Sequence, residues 1–290
     1  MTLGLDPVEP PASLSPSSIS SFKECPLAFR FSYLDRLPQP PAPHSSKGTL
    51  VHRALERFYD RPADERTAAA LDRDLDDARA DLRDDPDFTG LDLTDAEWDA
   101  FHADARALAH RTFALEDPAT VVPVGLELKL QASLGDVTVR GVIDRLERTP
   151  EGDLVVSDYK TGRVPGDRYV EKSLAGVQMY ALMCERLFGT VPARIQLLYL
   201  SRPTAIVATP SAQQLTGVAR RTTAIWNTIA TACERNEFRT NPGRLCDFCA
   251  YRPYCPAHGG DPQRADELRD LLAGPATRVG TALSATDPED

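Results

Sequence analysis

The chain has 290 residues, of which 42% are hydrophobic and 26% are charged, with a net charge of −10 and six cysteines. This composition is typical of a globular protein with one elaborated domain or two small ones. No apolar run is long enough to span a membrane and the first residues lack the basic and apolar regions of a signal peptide, so we expect a cytoplasmic protein. In that compartment the cysteines are expected to bind metal or remain buried thiols rather than form disulfides.

The acidic charge is concentrated in two segments. Residues 64–87 contain ten acidic and four basic side chains, and residues 261–290 contain seven acidic and three basic ones. The rest of the chain therefore carries no net charge. A neutral remainder can still present a local basic groove, so the overall charge does not exclude a nucleic-acid partner.

Within the first 120 residues, we expect an extended N-terminal stretch followed by helices. Residues 1–16 are rich in proline and serine, and a helix kinked at Pro26 follows. The proline-rich stretch 38–43 predicts a stiff linker. An apolar stripe predicts a helix over Lys47–Asp60, and the charged, alanine-rich residues 64–117 are predicted to be helical with a solvated face.

The pattern then changes to strands that alternate with helices. Apolar runs followed by a helix and another apolar run predict a mixed sheet with a crossover connection. A capping box of Ser211 and Gln214 predicts the start of a long helix. The predicted elements are strands over 121–134, 136–147, 153–161 and 193–201, helices over 171–188 and from 211 to about 234, a turn-rich segment over 241–260 and a partly helical tail.

The hairpin over Val139–Gly162 contains the first candidate site. With its turn centred near Glu151, Asp144 and Asp158 face each other across the two strands. Lys160 follows two residues later and therefore lies on the same face. Two carboxylates and an ammonium on one face are costly to bury unless they bind something, which predicts a metal-dependent active site.

Two further candidates lie upstream of the hairpin. Glu127 is the carboxylate of the segment GLELKL, in which the leucines are expected to point to the other face of the strand. His52 lies on the helix of GTLVHRALERF, and a lone helical histidine is more often structural than a ligand. The remaining histidines, which have no comparable support, are interpreted as structural: His44, His102, His110 and His258.

The cysteines predict a second metal site near the C-terminus. Cys246, Cys249 and Cys255 form a compact group with intervals of two and five residues, and Cys25 is the candidate for a fourth ligand. Cys25 and Cys255 each precede a proline, a feature of some iron–sulfur ligand runs. A structural zinc is the competing interpretation, since thiolates suit both metals. Cys184 and Cys233 lie in apolar helical stripes and are interpreted as buried hydrophobic residues.

Taken together, these motifs resemble the RecB-like branch of the PD-(D/E)XK nuclease superfamily over roughly residues 14–258. The matching residues, in the order of the family, are Gly48–His52, Glu127, Gly141–Arg145 and Asp158–Gly162. The cysteine arrangement resembles the iron–sulfur subset, which includes AddB-type nuclease domains and CRISPR-associated RecB-like exonucleases. The resemblance implies an α/β, restriction-endonuclease-like core with a central mixed sheet, an added helical region and a cysteine-ligated iron–sulfur staple.

The resemblance also implies the metal ligands. His52, Asp144 and Asp158 would bind Mg²⁺ or Mn²⁺ with help from the backbone carbonyl of Tyr159, and the imidazole favours Mn²⁺. In the iron–sulfur subset, the four cysteines Cys25, Cys246, Cys249 and Cys255 would hold a four-iron (4Fe–4S) cluster.

The catalytic roles follow from the same resemblance. Lys160 would orient or activate the attacking water and stabilise charge on the scissile phosphate, and Glu127 would orient Lys160 or a metal-bound water. The glutamine of the family stands four residues before its tyrosine, but here Gly176 occupies that position. Gln178 lies two residues, or about 200°, from Tyr180, so both cannot face one site; each is retained as a candidate for positioning substrate.

The predicted activity is that of a metal-dependent DNA exonuclease acting on single-stranded DNA or DNA ends in recombination or repair. No nucleotide-binding Gly-x-x-x-x-Gly-Lys-Ser/Thr motif is present, so unwinding would need a helicase partner. Two alternatives remain: a non-catalytic DNA-binding partner of a helicase with the same fold, and a structural zinc protein. Retention of Lys160 and His52 argues against the first, since a binding role needs neither side chain.

The predicted organisation has five parts. They are an N-terminal segment with the first cluster cysteine (1–45), a helical region with His52 (46–120), the nuclease core (121–240), the cysteine loop (241–260) and an acidic, partly disordered tail (261–290).

Overall fold

The structure is a computed structural model that describes residues 5–273. Its described residues form two compact units: the first contains residues 5–12, 17–39 and 224–273, and the second contains residues 13–16 and 40–223. The predicted five-part division remains a prediction, and residues 274–290 of the predicted tail lie outside the described residues. Within the described chain, no helix combines the length and apolar character needed to cross a membrane.

The helices of the first half agree with the predicted pattern and are more divided than expected. The predicted kink is a break at Cys25, after which Pro26 starts a new helix that continues as a π-helical turn over Arg30–Leu34. Thr67 caps one helix, and Thr94 forms a capping box with Glu97 at the start of another. The helices are α1 Pro16–Glu24, α2 Pro26–Phe29, α3 Pro43–Asp60, α4 Ala68–Asp81, α5 Pro86–Thr89 and α6 Asp95–His110.

The second unit contains a mixed five-stranded sheet in the order β1-β2-β3-β4-β5. β1, β2 and β3 pair in antiparallel fashion, β3 and β4 are parallel, and β4 and β5 are antiparallel. The helix α7, Val170–Phe188, connects the two parallel strands, as the crossover prediction requires. The strands are β1 Pro123–Leu134, β2 Val137–Arg148, β3 Leu154–Lys160, β4 Arg194–Tyr199 and β5 Thr204–Ala208.

Two features of the C-terminal half test the local sequence signals. β5 was not predicted; it is a five-residue strand with an alternating pattern of half-buried and exposed side chains. The capping box that opens α8, Ala212–Arg235, is confirmed, because the Ser211 amide donates to Gln214 Oε1 and the Gln214 amide donates to Ser211 Oγ. The described part of the tail contains a helix, α9, over Gln263–Ala273.

A buried charged network lies beneath the site in the second unit. The Arg145 guanidinium, fully excluded from solvent, binds both carboxylate oxygens of Glu116 at 2.6 and 2.7 Å. It also lies 2.9 Å from the Glu147 carboxylate, donates to the Tyr159 hydroxyl, and stacks 4.3 Å above the Tyr59 ring. These contacts join β2 and β3 to α3 and fix the strands that carry the candidate site.

The first unit is built from both ends of the described chain. The Leu27 amide donates to the carbonyl of Arg239, and the Asn241 side chain donates to the carbonyl of Glu24. Phe31 contacts the rings of Tyr251 and Tyr254. The N-terminal helices and the cysteine loop therefore pack into one unit, as expected if Cys25 is to approach the C-terminal cysteines.

Candidate metal centre and catalytic site

The site forms where the ladder between β2 and β3 ends. The last paired residues are Arg145 and Ser157, so Asp144 and Asp158 occupy the next opposing positions, as the hairpin centre predicts. In place of a further ladder bond, Asp144 Oδ2 accepts a 2.7 Å hydrogen bond from the Tyr159 amide. This bond fixes the Asp144 carboxylate between the two strands.

Three side chains from three elements form a group able to hold a metal ion. His52 on α3, Glu127 on β1 and Asp144 on β2 each offer a ligand atom, and these atoms all lie within 4.8 Å of one another. His52 Nδ1 is 3.5 Å from Asp144 Oδ2 and 4.0 Å from Glu127 Oε1. His52 Nε2 lies 3.1 Å from the Tyr159 carbonyl oxygen, and only a protonated nitrogen can bond to that acceptor. The lone pair of Nδ1 is thereby directed at the carboxylates, as a metal ligand requires.

Glu127 reaches this group from a distorted stretch of β1. Its φ of 42° lies in the left-handed region, which residues other than glycine rarely occupy. The register of β1 on β2 shifts between Pro123 and Gly125, and a Cβ built at Gly125 would lie 3.0 Å from the Leu128 side chain. The expected regular alternation of the leucines is therefore interrupted here. Strained backbone of this kind is concentrated at functional sites, where neighbouring structure maintains it.

The electrostatics of the group favour a bound cation. Burial raises the pKa of Asp144 well above its usual range, and the charge of Asp158 raises it further. Burial, followed by the charge of Glu56, raises the pKa of Glu127 to about 7. Burial lowers the pKa of His52, which favours the neutral imidazole that metal binding needs. One neutral imidazole beside carboxylates that repel one another fits a divalent cation.

Asp158 and Lys160 form an ion pair beside this group rather than within it. Lys160 Nζ lies 2.5 Å from Asp158 Oδ2, and the Asp158 side chain is only 9% exposed. Burial acts to lower the pKa of Lys160, but the charge and hydrogen bond of Asp158, together with the charge of Asp144, outweigh burial and raise the pKa. Lys160 is therefore a cation at neutral pH and suits charge stabilisation better than proton abstraction.

The other predicted site residues differ in their surroundings. The Tyr159 carbonyl, expected to assist the metal, accepts from His52, and its second lone pair remains for another partner. Burial raises the pKa of Tyr180, and the charges of Asp158 and Asp144 raise it further. Tyr180 therefore lies close enough to the two carboxylates to interact with them electrostatically. The Gln178 side chain is half-buried and forms no hydrogen bond with any residue that the structure describes.

The position of Tyr180 depends on a glycine in the neighbouring strand. A Cβ built at Gly141 would lie 2.5 Å from Tyr180 Cε1, closer than any real contact. Gly141 therefore provides space for the ring of Tyr180 on α7. The sequence contains both residues, but no local signal connects a strand glycine with a helix tyrosine 39 positions later.

The four candidate cluster cysteines belong to the first unit and are all free and partly exposed. Burial raises the pKa of Cys249, and the nearby Cys25, Cys246 and Cys255 also raise it. The Gly243 amide donates a 3.3 Å hydrogen bond to Cys246 Sγ. As predicted, Cys184 and Cys233 are buried instead, at 0% and 4% exposure.

Sequence reasoning placed Arg145 within a motif but missed its role. Its guanidinium lies on the opposite side of β2 from Asp144 and compensates two acids, the buried Glu147 and the half-buried Glu116 from a different segment. The available signal was the position of Arg145, directly before Leu146 and two residues after Ile143, both buried. Elsewhere in this strand, more and less buried side chains largely alternate.

Comparison with known proteins identifies relatives of the chain. The family model of the PD-(D/E)XK nuclease superfamily matches residues 13–256. The Gene 69 protein of Mycobacterium phage D29 is 28% identical over 199 residues, which cover 60% of this chain and 70% of that protein. A solved structure of a candidate exonuclease from Eubacterium rectale shares the fold with a TM-score of 0.51 and 13% identity, covering 83% of this chain and 88% of that one.

Proposed function

The chain belongs to the PD-(D/E)XK nuclease superfamily, and we propose that it is a metal-dependent DNA exonuclease of the RecB type. Its substrates would be single-stranded DNA or DNA ends in recombination or repair. The observation that carries the proposal is the group of His52, Glu127 and Asp144, next to the ion pair of Asp158 and Lys160. A binding protein needs neither a set of metal ligands nor a cation poised at their edge.

The residues divide the work of phosphodiester hydrolysis between them. His52, Asp144 and Asp158 would hold Mg²⁺ or Mn²⁺, with Glu127 as a further ligand or the residue that orients the attacking water. When bound, the metal ion stabilises charge on the scissile phosphate and lowers the pKa of a bound water. Asp144 is held in place by the Tyr159 amide, and His52 by the Tyr159 carbonyl. Lys160 would direct its ammonium at the charge that develops on the phosphate.

Nuclease assays on end-labelled DNA test this proposal. Single- and double-stranded substrates are incubated with Mg²⁺ or Mn²⁺ and the wild-type chain, Asp158→Ala or Asp136→Ala. Asp136 is exposed in the turn between β1 and β2 and serves as the control acid. Release of end label by the wild type and Asp136→Ala, with a loss of at least about 100-fold in Asp158→Ala, is expected. Equal cleavage by Asp158→Ala, or intact DNA with every metal, contradicts the proposal.

A four-iron cluster on Cys25, Cys246, Cys249 and Cys255 is the second part of the proposal. It is supported by the proximity of the other three thiols to Cys249, whose pKa they raise, and by the hydrogen bond from the Asn241 side chain to the Glu24 carbonyl. A tetrahedral zinc brings its sulfurs within about 4 Å of one another, given Zn–S bonds of about 2.3 Å. Among the described residues, no three of these cysteine sulfurs lie within 4.8 Å of one another, a wider spacing than a bound tetrahedral zinc requires.

Metal analysis of protein purified without air distinguishes the two metals. Iron and sulfide with broad visible absorption, lost in Cys249→Ser and kept in Cys184→Ala, are expected for the cluster. Stoichiometric zinc without iron would contradict the iron–sulfur cluster and identify a structural zinc instead. We also propose the cytoplasm as the compartment, consistent with six free cysteines, and a helicase as the partner that supplies single strands.

A further inference from the structure

A second concave site lies in the helical region of the second unit. The cavity has a volume of about 460 Å³, within the range of roughly 300–1,000 Å³ typical of small-ligand sites. The end of α4, the residues around α5 and the start of α6 form its walls. The proposed nuclease reaction uses none of its residues. The residues that line the cavity include Arg79, Arg83, Phe88, Trp98 and His102.

The cavity is locally basic within an acidic segment. Arg79 and Arg83 are exposed, four residues apart, and neither forms an ion pair with a carboxylate in the part of the chain that the structure describes. Asp76, the acid in the lining, lies 3.2 Å from Arg106 and is thereby engaged elsewhere. Most neighbouring arginines are neutralised; Arg57, for example, pairs with Asp81 at 2.6 Å. Two free guanidiniums at one cavity can bind an anion.

The same cavity presents a fixed aromatic surface. The Trp98 indole is stacked on His102 at 5.6 Å with an angle of 21° between the rings, and Phe101 contacts it edge-on at 5.3 Å. Phe88, 6% exposed, packs edge-on against Phe101 behind it. Trp98 itself is half-buried, so its indole is held in place while part of it faces the cavity. A preorganised ring loses little conformational entropy when a planar ligand stacks on it.

A flat apolar surface beside two guanidiniums matches a nucleobase joined to a phosphate. We propose that this cavity binds one nucleotide unit of a single strand, with the base on Trp98 and the phosphate on Arg79 and Arg83. The ligand class rests on the proposed function, which supplies DNA as the substrate. The cavity is then a site that holds the strand apart from the residues that cut it.

Strand binding is measured in full-length Asp158→Asn protein, so that cleavage does not interfere. A labelled oligothymidylate of about 12 nucleotides is titrated by fluorescence anisotropy at several salt concentrations. Trp98→Leu is expected to weaken binding about tenfold, and Trp98→Phe, which keeps an aromatic face and guards against misfolding, less than about threefold. Arg79→Gln is expected to reduce the salt dependence of log Kd by about 0.7, the value for one phosphate on a single strand.

Arg73→Gln is the matched control, since Arg73 is an exposed arginine of the same helix outside the cavity. Equal effects of Arg73→Gln and Arg79→Gln, or unchanged binding in Trp98→Leu, overturn the inference. If either result is found and the wild type still cleaves DNA, the cavity inference fails and the nuclease proposal stands. If the strand binds through Trp98 and the wild type does not cleave DNA, the cavity inference stands and the nuclease proposal fails. Thymidine monophosphate serves as the second probe: if it binds through Arg79 while the strand does not, the ligand is a free nucleotide and the strand assignment is wrong.

Discussion

Replacing Arg145 by methionine is expected to destabilise the second unit severely, although no predicted catalytic atom is removed. The substitution leaves Glu116 and Glu147 without the cation that neutralises them, and Glu147 is 7% exposed. Burial already raises the pKa of Glu147. The two acids must then remain charged in a poor solvent or take up protons, and both alternatives cost free energy.

The magnitude follows from the contacts that are lost. Arg145 makes two charge-assisted bonds of 2.6 and 2.7 Å to Glu116 and lies 2.9 Å from Glu147. Removing one partner of a buried ion pair typically costs about 3–5 kcal/mol, out of a total stability of about 5–15 kcal/mol. For a unit of this size, that loss lowers the melting temperature by about 10 °C.

Thermal unfolding followed by circular dichroism measures the effect. Arg140→Met provides the control, because Arg140 is an exposed arginine of the same strand, and it should change stability by less than about 0.5 kcal/mol. Arg145→Met combined with Glu116→Gln should recover part of the loss, and the deficit should shrink at low pH as the carboxylates take up protons. A loss below about 1 kcal/mol for Arg145→Met at neutral pH would refute this account of the network.

Three other outcomes are expected. Gly141→Ala places a Cβ 2.5 Å from Tyr180 and should cost about 1–3 kcal/mol in denaturant unfolding, a loss that Tyr180→Ala in the same chain restores; additive losses would show that the ring is not the obstacle. Glu127→Gly should relieve strain at φ 42° and stabilise the metal-free fold by about 1 kcal/mol relative to Glu127→Ala, while both variants lose nuclease activity; equal melting temperatures would argue against strain. Because the pKa of Glu127 is raised to about 7 from 4.5, the folded state keeps a proton that the unfolded chain releases, so the stability of metal-free protein should fall as pH rises from about 4.5 to 7. The part of this loss due to Glu127 is on the order of 1 kcal/mol after screening. Melting temperatures measured in chelator between about pH 4.5 and 7 should therefore fall less for Glu127→Gln than for the wild type. An equal fall in both proteins contradicts the raised pKa of Glu127.

The sequence predicted the mixed sheet, its crossover and the hairpin register because these depend on local signals. The turn between β2 and β3 sets the register that brings Asp144 opposite Asp158, and the α7 crossover makes β4 parallel to β3. β5 was missed because five residues with an exposed face give little hydrophobic periodicity.

The candidate site was predicted in its residue types more completely than in its geometry. The carboxylates and His52 could be named from motifs, but their grouping required the packing of α3 against the sheet. The left-handed backbone at Glu127 has no sequence signature, since glutamate is an unusual residue for it. The ion pair of Asp158 with Lys160, beside the group of His52, Glu127 and Asp144, likewise could be seen only from side-chain distances.

The construction of the first unit from both ends of the described chain has a consequence for biosynthesis. Cys25 and the helices around it leave the ribosome about 220 residues before Cys246, a delay of roughly 10–45 s at 5–20 residues per second. The second unit can fold during this interval, whereas the first cannot be completed until translation reaches the cysteine loop. Nascent chains arrested before residue 240 should therefore hold a protected sheet while Cys25 remains reactive towards thiol reagents.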